Sequence, residues 1–384
     1  MKIRREHREI LALKLIPGIG NLRLIRLLEA FGSAAPVFAA TNLQLREVDG
    51  IGPETAALIT DFDDWKRVDA LLERTQKMGA QLVSIHDSEY PTLLKQICDA
   101  PPILWVFGSL QSLSMPAVAV VGTRRPDRYG MDQAEEWSEM LARSGFAVVS
   151  GLAHGVDTIA HQRTVQVNGK AIAVLGSGLD RLYPVENSRL ARQIVEQGGA
   201  VITEFPPGSP ARSGNFPVRN RIVSGLSLGV LIIQSGIRGG SMITARLALD
   251  QNREVFVLPH ELNRARGRGN NHLIRAGEGK LIASLEDITT ELPPLEPAPD
   301  SDRAERKNSK GRLSESERIE SLPDKSRRIV TLLQEGEQQI DDLASRSGFV
   351  MSDLLPLLMQ LELAGWIRQR SGRYISLRRP EIAD

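Results

Sequence analysis

Nine short runs rich in valine, isoleucine and leucine recur between residues 81 and 290, and amphipathic stretches separate them. The runs are LVSIH (82–86), ILWVFG (103–108), AVAVVG (117–122), FAVVSG (146–151), AIAVLG (171–176), AVITE (200–204), LGVLII (228–233), EVFVL (254–258) and KLIAS (280–284). Strands that are apolar along their whole length, alternating with helices, are typical of a mainly parallel sheet covered on both faces. The pattern predicts an α/β domain over 81–290, Rossmann-like and doubly wound, with ligands at the carboxyl ends of its strands.

Two repeated turns mark the preceding segment, residues 1–80, whose sequence predicts a small helical domain. Gly18-Ile-Gly20 and Gly50-Ile-Gly52 each place an apolar residue between two glycines just before a new helix. Such turns form the centre of helix-hairpin-helix units, where N–H groups at a helix N-terminus bind DNA phosphate. They also serve simply to join packed helices. The repeat predicts a helix-hairpin-helix-like (SAM-like) domain and leaves open whether that domain contacts DNA.

Residues 291–325 are rich in proline, serine and charge and are predicted to form a flexible linker. Beyond the linker, residues 326–334, 339–347 and 352–364 have the pattern of three helices, and WIRQR with RYISL that of a hairpin. If Ser352 caps the third helix, Pro356 falls in its first turn, where proline is tolerated. The pattern predicts a winged helix over 326–384. Its eight basic and eight acidic residues favour dimerisation or a protein partner at least as much as duplex DNA.

The composition bears on where the protein works. A single cysteine, Cys98, excludes a disulfide scaffold and a thiolate metal cluster, and fits a reducing compartment. The apolar runs are too short to cross a bilayer, and the basic N-terminus lacks the pattern of a signal peptide. These features predict a soluble cytoplasmic protein with no membrane span.

Positive charge is concentrated in one part of the chain. Between Pro210 and Ala276 there are ten arginines, no lysine and three acidic residues, although the whole chain has a net charge of +1. The arginines are Arg212, Arg219, Arg221, Arg238, Arg246, Arg253, Arg264, Arg266, Arg268 and Arg275. They alternate with glycine-rich turns and with the sequences of buried strands. Guanidinium groups spread over several turns suit a nucleic-acid strand better than one small cofactor.

Small residues, hydroxyl groups and arginines recur where successive strands end. Small residues and free N–H groups let phosphate approach the main chain, and an aromatic ring can stack on a base. The residues predicted to bind DNA or phosphate are Gly122, Thr123, Arg124, Arg125, Ser150, Gly151, Arg212, Asn215, Phe216, Arg219, Asn220, Arg221, Gly240, Ser241 and Thr244.

Enzymatic motifs match this chain poorly. The turns after the third and fourth runs lack the third glycine and the acidic residue of a nicotinamide-binding fingerprint. The string GLSLG (225–229) matches a nucleophile elbow only in letters, because a helix precedes it and a strand follows. His154, Asp157 and His161 have metal-ligand spacing, but no carboxylate cluster supports them. We predict no catalytic residue, no cofactor and no metal.

Five strings of the central domain closely resemble the DNA-processing protein A (DprA/Smf) family. They are VAVVGTRRPDRYG (118–130), SGLAHGVDTIAHQ (150–162), AIAVLGSGLDRLYPVEN (171–187), NFPVRNRIVSGLS (215–227) and GGSMITARLALDQNREVFVLP (239–259). The resemblance covers the whole central domain, and the two terminal domains look like those of longer family members.

The resemblance implies a non-enzymatic protein that binds single-stranded DNA and is a homodimer through its central domain. It also implies that the protein protects incoming strands in natural transformation and helps load the RecA recombinase. Carried over by motif, the basic pocket comprises Arg124, Ser150, Gly151, Phe216, Arg219, Asn220 and Arg221. Asp157 and His161, which match the family's G-x-D-x-x-A-H, are assigned a turn-stabilising role.

The chain departs from the family pattern at two places. Leu258-Pro259-His260 replaces the usual Val-Pro-Gly, and the ARGRG run (265–269) follows, so the geometry of this loop stays open although its arginines favour DNA. Gln234 stands where an acidic residue is common, which predicts a less acidic pocket.

Two other functions remain as alternatives. A nucleotide-binding or nucleotide-hydrolysing enzyme would use the glycine-rich turns with Asp157 and His161. A sequence-specific regulator would read duplex DNA through the winged helix, which its neutral charge disfavours.

Overall fold

The computed structural model describes residues 4–293, 322–334, 336, 338–363, 366–370 and 374–377. The chain forms two compact units, Met1–Glu296 and Pro297–Asp384. The predicted linker, residues 291–325, lies outside the described residues except at its two ends. Within the described ranges, every helix is too short or too polar to cross a bilayer.

Six helices form the N-terminal part of the first unit. They are α1 (Arg5–Leu15), α2 (Asn21–Phe31), α3 (Ala34–Ala39), α4 (Asn42–Arg46), α5 (Pro53–Thr60) and α6 (Trp65–Lys77). At the two repeated turns Gly18 and Gly50 have φ of 84° and 85°, a left-handed conformation that favours glycine. The isoleucine of each turn is buried, and the second glycine is the N-cap of α2 or α5. Both copies of the predicted turn are therefore present.

A single sheet forms the rest of this unit. Its strands are β1 (Gln81–Ser84), β2 (Ile103–Gly108), β3 (Ala117–Val121), β4 (Ala147–Ser150), β5 (Ala171–Val174), β6 (Ala200–Thr203), β7 (Gly229–Ile232), β8 (Glu254–Val257) and β9 (Lys280–Leu281). The helices between and after them are α7 (Thr92–Lys95), α8 (Arg128–Arg143), α9 (Val156–Gln166), α10 (Ser188–Glu196), α11 (Asn215–Gly225), α12 (Gly240–Asp250), α13 (Arg268–Ala276) and α14 (Glu286–Thr289).

The strand order is β1-β2-β6-β5-β4-β3-β7-β8-β9. All pairs from β6 across to β9 are parallel, whereas β2 pairs antiparallel with both β1 and β6. The predicted doubly wound, mainly parallel, Rossmann-like sheet is confirmed. The chain runs outward from β3 to β6 and then returns, so that β7 lies beside β3. At such a switch in strand order the connections diverge to opposite faces and leave a crevice.

Side chains of the strands alternate between the two faces of the sheet and enter three hydrophobic cores. Val118 and Val120 of β3 pack with Trp137 and Leu141 of α8. Ala119 of the same strand belongs to a second core, which includes the N-terminal helices. Each fully buried large aliphatic side chain contributes about 1.5–3 kcal/mol to folding. Cover on both faces explains why the strand sequences are apolar throughout.

The second unit is a winged helix, as predicted. Its elements are α15 (Asp324–Gln334), β10 (Gln338–Gln339), α16 (Ile340–Ser347), α17 (Met351–Leu363), β11 (Ile367–Arg370) and β12 (Tyr374–Leu377). The predicted hairpin of β11 and β12 gains a short third strand, since β10 pairs with β12. The placement of Pro356 in the first turn was wrong: α17 begins at Met351, so the proline lies inside the helix.

Candidate functional site

A cleft of about 750 Å³ opens at the carboxyl ends of β3, β4 and β7, where the strand order switches. This is the position at which open α/β sheets bind their ligands. Eleven of the residues predicted from the sequence line it: Gly122, Thr123, Arg124, Gly151, Asp157, Phe216, Arg219, Asn220, Gly240, Ser241 and Thr244.

The turn after β3 forms one wall of the cleft. The Thr123 N–H donates to the Gln234 carbonyl at 2.8 Å, which ties this turn to the end of β7. A Cβ on Gly122 would lie 2.6 Å from Cγ2 of Val156, so glycine is required here by packing against α9. The next residue, Arg124, is exposed and has no ion-pair partner within the described part of the chain.

Arg219 of α11 forms the floor rather than the rim. Its side chain is buried, with the residue only 4% exposed, and Nη1 donates to the Gly151 carbonyl at 2.5 Å and to the Val174 carbonyl. Burial lowers the pKa of Arg219 to about 10, and the charge of Asp157 opposes that decrease. The guanidinium therefore remains charged at neutral pH and joins α11 to the ends of β4 and β5. A Cβ on Gly151 would collide with this guanidinium.

Asp157, near the start of α9, holds the turn after β4. Its Oδ2 accepts from the Gly151 N–H at 3.1 Å and from the Ala153 N–H at 3.4 Å. Burial raises the pKa of Asp157, and the positive charge of Arg219 offsets part of the rise. These contacts fit the turn-stabilising role proposed for Asp157.

His161 is fully buried one turn further along α9, beneath the same turn. Burial lowers the pKa of His161 to about 4, and the main chain of Ser150 counteracts only part of this. The ring is therefore neutral in the folded protein at neutral pH, and its contribution there is packing.

Acidification should destabilise the protein through His161. When the pH falls below the ordinary pKa of histidine, His161 takes up a proton in the unfolded chain but not in the folded chain. The stability present at neutral pH is therefore lost as the pH falls towards 4. Between about pH 7 and pH 5 this single group should cost about 2 kcal/mol. Urea unfolding of wild type and of His161→Leu at both pH values measures it. A variant that loses as much stability as wild type on acidification would contradict the assignment.

Aromatic rings line the side of the cleft formed by α11. Phe216 and Tyr183 have ring centroids 5.7 Å apart with their planes tilted by 55°. The Arg124 guanidinium lies 5.4 Å from the Phe216 centroid, within cation–π distance. A flat apolar surface beside an exposed cation matches the two parts of a nucleotide, base and phosphate.

The N-terminus of α12 completes the cleft. Its cap residue, Gly239, provides no side-chain hydrogen bond, and among the described residues the Gly240 and Ser241 N–H groups have no acceptor, so they are free to bind an anion. A Cβ on Gly240 would have no neighbour within 4 Å, so this glycine leaves open space in the cleft. Ser241 is already bonded to Ser235, with 2.8 Å between the two Oγ atoms.

Arg221 lies away from the cleft and is removed from the candidate set. It is buried on the opposite side of α11, and Nη1 and Nη2 each donate to a Glu204 carboxylate oxygen at 2.8 Å. Its Nε donates to Asp99 at 2.9 Å. Lys14 and Asn21, from the N-terminal helices, also reach Glu204, at 3.9 and 2.8 Å. We call Glu204, Arg221, Lys14 and Asn21 the Glu204 cluster; it joins α11 to the N-terminal helices.

Four other predicted residues do not line the cleft. Ser150 is buried and donates to the Val120 carbonyl at 2.7 Å, and Asn215 donates to the Gly176 carbonyl at 2.9 Å, so both brace the walls. Arg125 and Arg212 are exposed outside it. The Gln234 side chain does not line the cleft; it is buried and accepts from the Asp127 N–H at 3.0 Å.

The altered loop after β8 has a defined conformation around His260. Its Nε2 lies 2.9 Å from the Ile233 carbonyl, and its main-chain N–H donates to Asn271 at 3.1 Å. The His260 side chain packs on Gly267, where any Cβ would collide with it. Gly267, the first glycine of the ARGRG run, thus leaves room for His260, which stands where the family usually has glycine.

Sequence reasoning missed Tyr183 and Glu204. Tyr183 stands in the quoted string RLYPVEN, but no periodicity places a loop tyrosine opposite Phe216. Glu204 ends the run AVITE, and an acidic residue at the end of an otherwise apolar strand signals a buried partner. Within the described ranges, no three His, Cys, Asp or Glu side chains are placed to share a metal ion.

Comparisons with known proteins agree with this geometry. A family model described as DNA recombination-mediator protein A matches residues 81–293, and one described as DprA winged helix domain matches residues 314–373. Protein Smf of Synechocystis sp. is 33% identical over 94% of this chain and 96% of its own length. Protein Smf of Escherichia coli is 37% identical over 82% of each. The X-ray structure of DNA processing protein A from Streptococcus pneumoniae has a TM-score of 0.66 at 33% identity and covers 76% of this chain and 99% of that chain.

Proposed function

The chain belongs to the DNA recombination-mediator protein A family, and we propose that it binds single-stranded DNA in its cleft without catalysing a reaction. Membership places it in DNA processing during recombination. The observation that carries the finer proposal is the position of the exposed Arg124 guanidinium, 5.4 Å from the Phe216 ring centroid, at the switch point of the sheet.

A flexible strand suits this cleft better than a duplex. Stacking on Phe216 or Tyr183 requires a base whose face is free, and bases in a duplex are already stacked on each other. The free N–H groups at the start of α12 and the Arg124 guanidinium would take neighbouring phosphates. None of these contacts reads a base edge, so binding should depend little on sequence.

Four further parts belong to the proposal: the cytoplasmic location comes from the composition, and the homodimer, the protection of strands and the loading of RecA come from the family resemblance. The protein would act in the cytoplasm as a homodimer, would protect incoming strands in natural transformation, and would help to load RecA recombinase onto them. Light scattering tests the dimer, and a RecA filament-assembly assay on single strands tests the loading. A monomer at micromolar concentration or an unchanged assembly rate would remove the corresponding part.

Substitutions in the cleft test the binding proposal. Phe216→Ala should weaken binding to a labelled oligo-dT by about 5- to 150-fold, the equivalent of one lost stack at 1–3 kcal/mol. Arg124→Ala should weaken it and also reduce the slope of log affinity against log salt by about 0.7, the value for one phosphate on a single strand. Fluorescence anisotropy across a salt series, with a matched duplex alongside, measures both.

Two variants outside the cleft serve as controls. Phe107 is a partly exposed ring on β2, paired with Val201 at the start of β6 and therefore at the opposite end of the sheet. Lys95 is an exposed cation on α7, near the C-terminal end of α11. Phe107→Ala and Lys95→Ala should bind as wild type. Equal affinity for duplex and single strand, or no loss in either cleft variant, would reject the proposal.

Nucleotide binding remains the second candidate, because a cleft of about 750 Å³ at a switch point is also large enough for one nucleotide. Competition between free dTMP and labelled oligo-dT distinguishes a mononucleotide site from a strand-binding site. If free dTMP displaces oligo-dT at the same concentration of nucleotide units, the cleft is a mononucleotide site. If dTMP competes far more weakly, the ligand is the strand.

A further inference from the structure

Three exposed arginines lie next to the cleft but outside it: Arg238, Arg266 and Arg268. Arg238 lies in the loop between β7 and α12, Arg266 lies in the altered loop that leads into α13, and Arg268 is the first residue of α13. They belong to the arginine-rich part of the chain, but they are not among the residues predicted to form the binding pocket, and they do not line the cleft.

Hydrogen bonds hold these two loops together. The Gly269 N–H donates to the Ser235 carbonyl at 2.8 Å, and the Ser235 N–H donates to Oδ1 of Asn270 at 2.7 Å. The buried Asn270 amide also donates to the carbonyls of Ile232 and Leu258, at 3.0 Å each, and so fixes α13 against the ends of β7 and β8. Arg266 and the start of α13 at Arg268 are therefore fixed beside the loop with Arg238.

The same contacts place the arginines beside the cleft. Gly236, Gly239 and Gly240 line the cleft, and Arg238 lies between the first two of them. A Cβ on Gly236 would lie 3.9 Å from the carbonyl oxygen of Ala265, the residue before Arg266. A chain that leaves the cleft past the start of α12 meets these side chains next.

The charge of these arginines is not balanced locally. Within the described residues none of the three has an ion-pair partner, whereas neighbouring Arg264 pairs with Glu261 at 3.0 Å. The N-terminal end of α13 also faces this region, and the helix dipole adds to the positive potential there. Unpaired guanidinium groups grouped on two fixed loops are the arrangement that binds successive phosphates.

We propose that Arg238, Arg266 and Arg268 form a second phosphate-binding segment, which holds single-stranded DNA as it leaves the cleft. This rests on the proposed function, since the strand must first occupy the cleft. It assigns a role to the ARGRG run, at which this chain departs from its family pattern.

Strand length tests the proposal. The variant Arg238→Ala/Arg266→Ala/Arg268→Ala should bind a long oligo-dT, of about 20 nucleotides, on the order of tenfold more weakly than wild type. Its salt slope on that strand should be lower by about 2, as expected for three lost phosphate contacts. A short oligo-dT of about five nucleotides reaches only the cleft, so the triple variant should bind it as tightly as wild type does. Lys95→Ala is the control for losing one exposed positive charge away from the cleft, and thermal melting checks that the variants fold.

Each outcome is decisive. Loss confined to the long strand, with the lower salt slope, supports the second segment. Equal loss on both strands would overturn it and assign the arginines to the cleft, and no loss on either would overturn it outright. If wild type binds neither strand, the proposed function itself has failed. That result differs from one in which wild type binds both strands and the triple variant loses affinity equally for both.

Discussion

Replacing Glu204 with alanine should lower the free energy of unfolding by about 3–5 kcal/mol, the usual cost of leaving a buried charge without its partner. Arg221 is 4% exposed and would lose both hydrogen bonds from its terminal nitrogens to the carboxylate. Lys14 would lose the same negative charge, and burial already lowers the pKa of Lys14. Arg221 would then keep only the half-exposed Asp99 as an anionic partner, and Lys14 would lie near a second cation without Glu204 between them.

Urea unfolding at neutral pH measures this effect, and the chain offers a matched control. Asp99 also binds Arg221, but its side chain is 45% exposed. Asp99→Ala should therefore cost less than about 1 kcal/mol, because water replaces an exposed carboxylate. Should Glu204→Ala cost no more than Asp99→Ala, the Glu204 cluster would not be the electrostatic centre of this interface.

Asp157→Ala should have an effect of similar size, again about 3–5 kcal/mol. The substitution removes the carboxylate that offsets the buried charge of Arg219, and it leaves the Gly151 and Ala153 N–H groups without their acceptor. The turn after β4 and the floor of the cleft would loosen together, so affinity for single strands should fall in the same variant.

A double substitution separates electrostatics from packing at this position. Asp157→Ala/Arg219→Met removes both charges and should recover a large part of the lost stability, since it leaves no buried charge without an opposite charge nearby. Urea unfolding of the two single variants and the double variant completes the cycle. If the double variant is less stable than Asp157→Ala alone, Arg219 acts through its carbonyl hydrogen bonds and not through its charge.

The fold follows from the sequence because burial leaves a pattern in it. Every predicted strand is present, with ends that differ by a few residues, since a strand covered on both faces must be apolar throughout. The cleft was also predictable in place, because ligand sites of doubly wound sheets occur at carboxyl ends of strands. Glycine-rich turns after β3 and β4 therefore indicated its walls correctly.

The roles of individual arginines were not predictable in the same way. Arg219 and Arg221 stand two residues apart on α11, and the same string suggested phosphate contacts for both. One lies beneath the cleft and the other pairs with Glu204, which precedes it by seventeen residues. Whether an arginine is free depends on an acceptor that tertiary structure brings to it, and local pattern carries no record of that acceptor.

Helix α11 presents its two sides to different parts of the molecule. Phe216 and Asn220 line the cleft, while Arg221 reaches Glu204 and, through it, the N-terminal helices. The same helix therefore takes part in strand binding on one side and in the attachment of the N-terminal helices on the other. Thermodynamic linkage makes any coupling between them reciprocal: whatever factor the attached helices add to strand affinity, a bound strand adds to their attachment.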